Sequence, residues 1–387
     1  MHARLRQWAK DAYIGARTAS RGLRSRRVGP VTISGFFSDP RGVAQAARLS
    51  AEMLEAAGIK VVRHDIGALL AGAMPPPPPG DGGVLLLHAN PPEAAPLLRA
   101  WPPHTWATRY RIGYWVWELP LPPPSWRTPL PWLDEIWTPS RFSGGSLAKL
   151  GAPQKIKVIP HPVYPSAAKP DRARFGVRGD EVVVLTAFDF RSTRARKNPD
   201  GAIAAYRTAF PQPDGRTRLL IKALAPEADP QGARALAEIA ASRPDITVID
   251  RTLDQGEMDV LFASIDIFLS LHRSEGFGLM PAQAMALGKA VVTTGWSGVM
   301  EFADAQSAAL VPFRLTPVKD VSGLYNLEGA EWAEPDVAAA AEMIRALAKD
   351  AILRAALGER AVKAIALKLN KTANPLSARA MAWVSGA

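Results

Sequence analysis

The chain has 387 residues, of which 48% are hydrophobic and 21% charged, and it carries a formal net charge of +11 without any cysteine. This length is enough for two α/β domains with separate cores. The lack of cysteine excludes disulfides and thiolate metal sites, and no apolar run approaches the ~20 residues of a membrane-spanning helix.

Residues 1–30 form a basic leader that holds seven of the eleven net positive charges. Small and apolar residues recur there at helical spacing, at Leu5, Trp8, Ala9, Ala12, Ala16, Ala19 and Leu23. This pattern favours an amphipathic helix within residues 1–27 on an anionic membrane surface. A solvated helix or a disordered basic tail is the alternative.

The location and partners follow from the same leader. We expect a cytoplasmic protein, since no secretory signal is evident, and the leader predicts peripheral attachment to the inner face of the cytoplasmic membrane. Nucleic-acid binding is not expected, because the basic residues form one short segment without a recognition motif.

After the leader, short apolar strands alternate with helices. Strands are predicted at 31–36, 60–63, 83–88, 110–117, 136–138 and 157–159, and the first helix at 43–57. The proline run at 74–83 cannot join a sheet and predicts a surface loop. This alternation indicates a doubly wound parallel sheet.

A second alternating series begins near Val182. Its strands are predicted at 182–187, 218–224, 247–250, 265–271, 290–293 and 308–311, with Ala-rich helices from Pro335 onward. The two series predict an α/β fold with domains at 31–163 and 164–372, joined by a stiff linker at 160–163. Residues 373–387 are predicted to form a C-terminal helix that crosses back to the first domain.

The segment 272–292 predicts a strand end, a glycine turn, a helix and the next strand. Gly276 and Gly278 relieve steric limits on the turn, and Pro281 suits the first turn of a helix. Backbone N–H groups and the helix dipole would then favour a phosphate above the strand. Glu275 at the mouth of the turn would accept hydrogen bonds from sugar hydroxyls. An ordinary loop with a solvated acid is the alternative.

A basic cluster follows the strand predicted at 182–187. Arg191 and Lys197 would lie at the strand end and the helix start, at the sheet edge where open α/β sheets bind ligands. Two cations placed there can neutralise a diphosphate leaving group. Arg196 is able to substitute for either in a modest realignment, and a solvated basic loop is the alternative.

These motifs resemble the nucleotide-sugar site of retaining GT-B glycosyltransferases of family 4, in which a Glu begins an E-G-F-G-L turn. The blocks that carry the resemblance cover most of the chain from about residue 31 to 350 and include GYWVWELP, DEIWTPSRF, RKNP and EWAEPDV. It implies two Rossmann-like doubly wound domains facing across a cleft. It also implies a bacterial enzyme that builds polysaccharides, lipopolysaccharide among them, or lipid-linked glycans.

The resemblance assigns residue roles. Glu275, Arg191 and Lys197 are the catalytic candidates, since the family places an Arg and a Lys six residues apart on the diphosphate. The residues implied to bind the donor are Gly276, Phe277, Gly278, Leu279, Gln283, Arg196, Arg251, Leu253 and Ser297. At the position of Gln283 the family has Glu. An amide both donates and accepts hydrogen bonds, so Gln283 is expected to tune the choice of nucleotide at the ribose without abolishing turnover.

The first domain supplies candidates for the acceptor or the cleft. They are Gly35, Asp39, Arg41, Gly42, His88, Trp117 and Glu118. Seven of the eleven tryptophans lie in the segment 101–137, and alternation along a strand favours core packing for most of them.

We therefore predict a glycosyltransferase that moves a sugar from a nucleoside-diphosphate donor to a glycan or lipid-linked acceptor, with retention at the anomeric carbon. The sequence has no Asp-x-Asp triplet, so a metal or other cofactor is not expected, and the sugar nucleotide is a substrate. Two alternatives remain: a catalytically weak sugar-nucleotide binding or scaffold protein, suggested by Gln283, and a sugar-nucleotide epimerase on the same fold.

Overall fold

The computed structural model describes residues 7, 10–15, 29–39, 42–80 and 82–370. The chain divides into two α/β units, with the boundary between Pro162 and Val163, inside the predicted linker, and the second unit extends to Asn370. The predicted crossing helix at 373–387 lies outside the described residues.

The first unit contains a six-stranded parallel sheet. Its strands are β1 (Val31–Gly35), β2 (Val61–Asp65), β3 (Val84–Leu87), β4 (Tyr110–Tyr114), β5 (Glu135–Thr138) and β6 (Ile156–Val158). They lie in the order β2-β1-β3-β4-β5-β6, and the connecting helices are α1 (Gly42–Ala56), α2 (Pro91–Ala100) and α3 (Arg141–Ala148). Each predicted strand of this series overlaps an observed one.

Buried tryptophans are concentrated in the second half of this unit's sequence. The seven tryptophans between residues 101 and 137 are all buried, none more than 3% exposed. The prediction that most of them pack in the core is therefore confirmed.

The proline-rich segment between β2 and β3 is a surface loop that the sheet holds in place. The buried guanidinium of Arg109 donates to the Thr32 hydroxyl at 2.8 Å and to the Pro79 carbonyl at 2.5 Å. The indole N–H of Trp101 donates to the Pro75 carbonyl at 3.0 Å. Because proline carbonyls remain good acceptors although the ring removes the N–H donor, the run is anchored without joining the sheet.

The second unit repeats the architecture. Its strands are β7 (Val182–Asp189), β8 (Thr217–Leu224), β9 (Ile246–Ile249), β10 (Ile267–Ser270), β11 (Ala290–Thr294) and β12 (Ala309–Val311), in the order β12-β11-β10-β7-β8-β9. The helices longer than one turn are α4 (Pro199–Ala209), α5 (Pro230–Ser242), α6 (Gln255–Ser264), α7 (Leu279–Ala286), α8 (Val337–Lys349) and α9 (Ala351–Ile365).

Both faces of the second sheet are covered, which explains its continuous apolar strands. Successive side chains of β7 point to opposite faces. Leu185 joins a core cluster with Met285 of α7, whereas Val184 joins a separate cluster with Tyr206 of α4.

An antiparallel hairpin follows the second sheet. Strand β13 (Phe313–Pro317) pairs with β14 (Glu331–Pro335), so that Leu315 lies opposite Ala333. The sequence did not predict this hairpin. The β13 sequence FRLTP alternates apolar and polar residues as a half-buried strand does, but it is only five residues long and is bounded by Pro312 and Pro317, and proline is typical of strand edges and of chain outside strands.

Part of the leader is described. Residues 10–15 are helical, Ile14 is buried, and Asp11 forms an ion pair with Arg99 of α2 at 2.9 Å. Ala12, a member of the predicted apolar stripe, is exposed, so this short helix turns a different side toward the first unit. The rest of the predicted stripe lies outside the described residues. Within the part of the chain that the structure describes, no helix is long and apolar enough to cross a membrane.

Candidate functional site

Three loops meet at the carboxyl edge of the second sheet, where parallel α/β sheets bind their ligands. The first loop follows β7, the second follows β10 and contains Glu275, and the third follows β11 and contains Ser297. Hydrogen bonds join the second loop to the other two.

The third loop fixes the backbone of Glu275. The Glu275 N–H donates to the Ser297 hydroxyl at 2.9 Å, and the Gly298 N–H donates to the Glu275 carbonyl at 2.8 Å. A Cβ added at Gly298 would lie 2.4 Å from the Gly276 carbonyl, so only glycine allows this approach of the two backbones. Ser297 itself has a φ of 69°, a left-handed conformation that a serine adopts at a cost.

Two cations converge on the Glu275 carboxylate. The Lys197 ammonium donates to one carboxylate oxygen, and Arg196 donates to the other at 3.2 Å and to the Ser274 carbonyl at 2.9 Å. Burial raises the pKa of the Glu275 carboxyl, but the positive charges of Lys197 and Arg196 outweigh it and lower that pKa to about 2. Glu275 is therefore an anion throughout the neutral range.

Local turns explain why Arg196 and Lys197 reach this place. Thr193 and Asn198 both have positive φ, 60° and 51°, and they bound the single helical turn Arg194–Lys197. The Asn198 amide donates to the Leu271 carbonyl at 2.9 Å, at the end of β10, while its oxygen accepts from the Gly201 N–H at the start of α4. Asparagine tolerates the left-handed conformation and caps helices well, so it anchors the loop to the neighbouring strand.

Arg191 is placed differently from the predicted pair. Its guanidinium binds both carboxylate oxygens of Asp189 at 3.0 Å, within its own turn, and its side chain is 34% exposed. The residue that joins Lys197 at Glu275 is Arg196, which is 3% exposed. Arg196 was considered from the sequence as a substitute for Arg191 or Lys197. It lies with Lys197 at Glu275, and its contact with a diphosphate stays a prediction. Thr193, with its positive φ, turns the chain between Arg191 and Lys197, and spacing alone does not reveal such a residue.

The remaining predicted donor residues divide into core and surface positions. Phe277 is buried against Phe302, with ring centroids 5.1 Å apart. Leu253 belongs to the same core cluster, and Leu279 packs against it. Their side chains therefore stabilise the unit, and the contact of these residues with the donor stays a prediction. Gly278 has a φ of 94° and precedes α7.

Two polar donor candidates are accessible. Arg251 is exposed and binds Glu257 at 2.8 Å. Gln283 lies on α7, one turn after Leu279, and is half-buried, and its amide hydrogen-bonds to no other described residue. Its role at the ribose stays a prediction.

The acceptor candidates lie in the first unit. Gly35 ends β1, where an added Cβ would lie 2.8 Å from the Ala47 Cβ and 3.4 Å from the His88 Cβ. The Asp39 carbonyl accepts from Arg48 at 3.1 Å, Gly42 begins α1, and Arg41 lies outside the described residues. Trp117 is buried, and its indole N–H donates to the Leu121 carbonyl at 2.7 Å, which argues against its ring as a platform for a sugar. Glu118 is half-buried.

His88 belongs to a buried aromatic stack at the end of β3. Its ring lies 4.4 Å from that of Tyr114, which in turn lies 5.1 Å from that of His161. Burial lowers the pKa of both histidines to about 3, so both are neutral at physiological pH. The Nε2 atom of His88 has no hydrogen-bond partner among the described residues.

The structure adds residues that sequence reasoning missed. Arg273 donates to both carboxylate oxygens of Glu334 on β14, at 2.6 and 3.0 Å. Its Cζ atom lies 5.7 Å from the centre of the Trp332 ring. Tyr325, in the loop of the hairpin, packs on Arg196. The EWAEPDV block was the one available signal, since it contains Trp332 and Glu334.

The positive charges described at this site belong to the side chains of Arg196 and Lys197. Within residues 29–39, 42–80 and 82–370, no three His, Asp or Glu side chains are grouped so as to hold a metal ion.

Comparison with known proteins places this site in a family. A model described as the family 4 glycosyltransferases in conflict systems matches residues 144–368, which include all three loops. No curated protein sequence matches the chain.

Several solved structures share the fold of nearly the whole chain. A glycosyltransferase from Rickettsia africae is 14% identical over 93% of this chain and 100% of its own, with a TM-score of 0.64. HepE from Anabaena, solved with UDP and glucose, is 13% identical over 91% and 99%, with a TM-score of 0.63. Sucrose-phosphate synthase from Thermosynechococcus elongatus is 14% identical over 92% and 100%, with a TM-score of 0.62. These likenesses confirm the predicted two-domain GT-B fold.

Proposed function

Because this chain belongs to the family 4 glycosyltransferases in conflict systems, we propose that it transfers a sugar from a nucleoside-diphosphate donor to a glycan or lipid-linked acceptor. The observation that carries the proposal is the convergence of Arg196 and Lys197 on Glu275. The three groups together carry one net positive charge at a partly buried position, where solvent and salt screen its attraction for a phosphate less than at the surface.

Each charged group has a separate role in this proposal. Arg196 and Lys197 stabilise the diphosphate as negative charge develops on the leaving oxygen. Glu275 remains ionised and orients the sugar by accepting hydrogen bonds from the sugar hydroxyls. It also shields Arg196 and Lys197 from bulk solvent. The turn Gly276–Leu279 directs the positive end of the α7 dipole toward the same anion.

The state of Glu275 supports retention at the anomeric carbon. Its carboxylate accepts hydrogen bonds from two cations and its pKa lies near 2, which makes it a poor proton acceptor and a weak nucleophile. The acceptor hydroxyl would attack from the face that the diphosphate leaves, and its proton would pass to the departing phosphate oxygen. Proton NMR of the fresh product reads the anomeric configuration, and an inverted product would contradict this mechanism.

We propose a UDP-sugar as the donor class. HepE, which shares the fold, was solved with UDP and glucose. The half-buried amide of Gln283 would contact the ribose hydroxyls. Thermal shifts with UDP, GDP, dTDP and ADP test this choice: the largest shift is expected for UDP, and a shift selective for GDP would replace the donor.

The acceptor side of the proposal rests on the first unit. Gly35 and His88 lie side by side at the carboxyl edge of its sheet, and half-buried Glu118 follows the neighbouring strand β4 in the chain. His88 is 1% exposed, so it would support this edge through its contact with Tyr114 without touching the acceptor. Attachment to an anionic membrane through the leader would bring a lipid-linked acceptor to this unit.

Single substitutions of the two cations test the proposed reaction. Arg196→Ala and Lys197→Ala are each expected to lower turnover by about 10²–10³, the usual cost of removing a group that stabilises developing charge. The matched control is Arg207→Ala, an exposed arginine on α4, which should leave turnover unchanged.

Turnover is measured as UDP released from a UDP-sugar that has first been shown to bind. Arg191→Ala is expected to have the smaller effect, because Arg191 binds Asp189. Wild-type rates for both the Arg196 and Lys197 variants would remove these cations from the mechanism.

A further inference from the structure

The loop that connects β13 and β14, residues 318–330, buries an aromatic ring against Arg196. The Arg196 Cζ atom lies 5.3 Å from the centre of the Tyr325 ring, within the distance at which a cation is attracted to a ring face. Tyr325 is 3% exposed, whereas Val321 and Leu324 in the same loop are 102% and 55% exposed. The loop thus presents Val321 and Leu324 to solvent and packs the ring of Tyr325 on Arg196.

A buried acid fixes the position of this ring. Asp320, which is 3% exposed, accepts hydrogen bonds from the Ser322 hydroxyl at 2.5 Å and from the Tyr325 N–H at 3.2 Å. Asn326 exchanges two hydrogen bonds with the Asp320 backbone, at 2.9 and 2.7 Å. These bonds fold the loop on itself and fix the backbone of Tyr325, which restricts where its ring can lie.

The hairpin is also tied to the Glu275 turn. The Ala333 N–H of β14 donates to the Arg273 carbonyl at 2.9 Å, and the Arg273 N–H donates to the Arg196 carbonyl at 2.8 Å. Glu334 holds the Arg273 side chain at 2.6 Å. The hairpin, the Glu275 turn and the Arg196 loop are therefore joined at backbone level.

We propose that Tyr325 is a positioning residue that holds the Arg196 guanidinium ready for the diphosphate of the donor. The inference rests on the proposed function and deepens it. A ring face attracts a cation without using any of its N–H donors. Tyr325 therefore restricts the guanidinium while leaving its N–H groups for oxygen acceptors, as the bonds to Glu275 and to the Ser274 carbonyl illustrate.

Binding of UDP to the full chain, measured by calorimetry, tests the proposal. Tyr325→Leu is expected to weaken UDP binding roughly 5- to 30-fold, the range that corresponds to a partly desolvated cation–ring contact. Tyr325→Phe keeps the ring and should bind UDP as the parent does. Leu324→Ala, next in the same loop and exposed, is the control and should also bind as the parent does.

A second background separates positioning from a general structural effect. With Arg196→Gln already present, Tyr325→Leu should cause no further loss of UDP affinity, because the group that it positions is gone. The proposal is overturned if Tyr325→Leu binds UDP like the parent. It is also overturned if Tyr325→Leu weakens binding equally in the Arg196→Gln background, or if Tyr325→Phe fails to restore affinity.

Failure of the proposed function gives a different result. If the parent chain binds none of UDP, GDP, dTDP and ADP, or if Arg196→Gln binds the preferred one as tightly as the parent, then the assignment of Arg196 to the diphosphate is wrong. Urea unfolding of the parent, the two single variants Arg196→Gln and Tyr325→Leu, and the double variant then tests the contact between the ring and the guanidinium without any ligand. Losses that add would overturn the contact between Tyr325 and Arg196 as well, and losses that do not add would retain the contact but not its role at the diphosphate.

Discussion

Glu275 shares its two carboxylate oxygens between two cations that come from one short turn. Lys197 is partly accessible, with 22% of its side chain exposed, whereas Arg196 is 3% exposed. A buried guanidinium that loses its counter-charge is costly, since its desolvation is no longer offset. Glu275 is therefore expected to contribute to stability as well as to the site.

The ionisation of Glu275 predicts how that contribution depends on pH. Glu275→Gln is expected to lower the free energy of unfolding by roughly 3 kcal/mol at neutral pH. The folded pKa of about 2 lies below the ordinary value of 4.5, so the contribution of the carboxylate is complete above about pH 5 and is lost as the pH falls toward 2. In urea unfolding from pH 7 to pH 3, the gap between parent and variant should narrow with acidity. A constant gap would show that Glu275 is not coupled to these cations.

At the scale of elements, the loop after β11 approaches the Glu275 turn so closely that only glycine fits at the point of contact. Gly298, after β11, faces the backbone of Gly276. The same approach allows the hydrogen bonds that hold Glu275 from both sides. The geometry of the acid thus depends on the loop after the neighbouring strand.

Gly298→Ala tests this dependence. A Cβ at 2.4 Å from a backbone carbonyl forces the loops apart, so we expect a loss of at least ~2 kcal/mol in unfolding free energy and a steep loss of turnover. Gly145→Ala, on α3 with no atom within 4 Å of the new Cβ, is the matched control and should stabilise by ~0.5–1 kcal/mol. Denaturant unfolding compares the three proteins. A Gly298→Ala protein as stable as the parent would mean that the loops part without strain.

The elements also show what the sequence was able to predict. The inner strands of both sheets, such as β3 and β10, were predictable because they are buried on two faces and appear as apolar runs. The β13 strand was missed although its residues alternate between apolar and polar, because it is short and is bounded by two prolines. The Glu275 turn was predictable from its glycines, yet the partner of Lys197 depended on the positive φ of Thr193 and Asn198. Such conformations arise from tertiary anchoring and are not encoded by spacing alone.

For the whole molecule, the leader is the main source of excess positive charge. Deleting residues 1–27 would remove Asp11 and Ile14, which contact the first unit, and so would confuse a change of charge with a change of fold. Replacing four of the five arginines that follow residues 10–15 with Gln leaves those contacts in place; the four are Arg21, Arg24, Arg26 and Arg27.

The resulting variant tests membrane attachment. Each basic residue near an anionic surface contributes about 1 kcal/mol, so the parent should sediment with vesicles that contain phosphatidylglycerol and the four-Gln variant should largely remain in solution. Neutral vesicles are the control for both proteins. Equal sedimentation of parent and variant with the anionic vesicles would reject an electrostatic role for the leader.

The concentration of tryptophan in one unit has a consequence for spectroscopy. Seven of the eleven indoles lie buried between residues 101 and 137, all in the first unit, while Trp296 and Trp332 belong to the second. Intrinsic emission therefore reports mainly on the first unit, and a melting curve recorded by fluorescence alone would assign the midpoint of that unit to the whole enzyme. Far-ultraviolet ellipticity, recorded on the same samples, is needed to detect loss of the unit that contains Glu275.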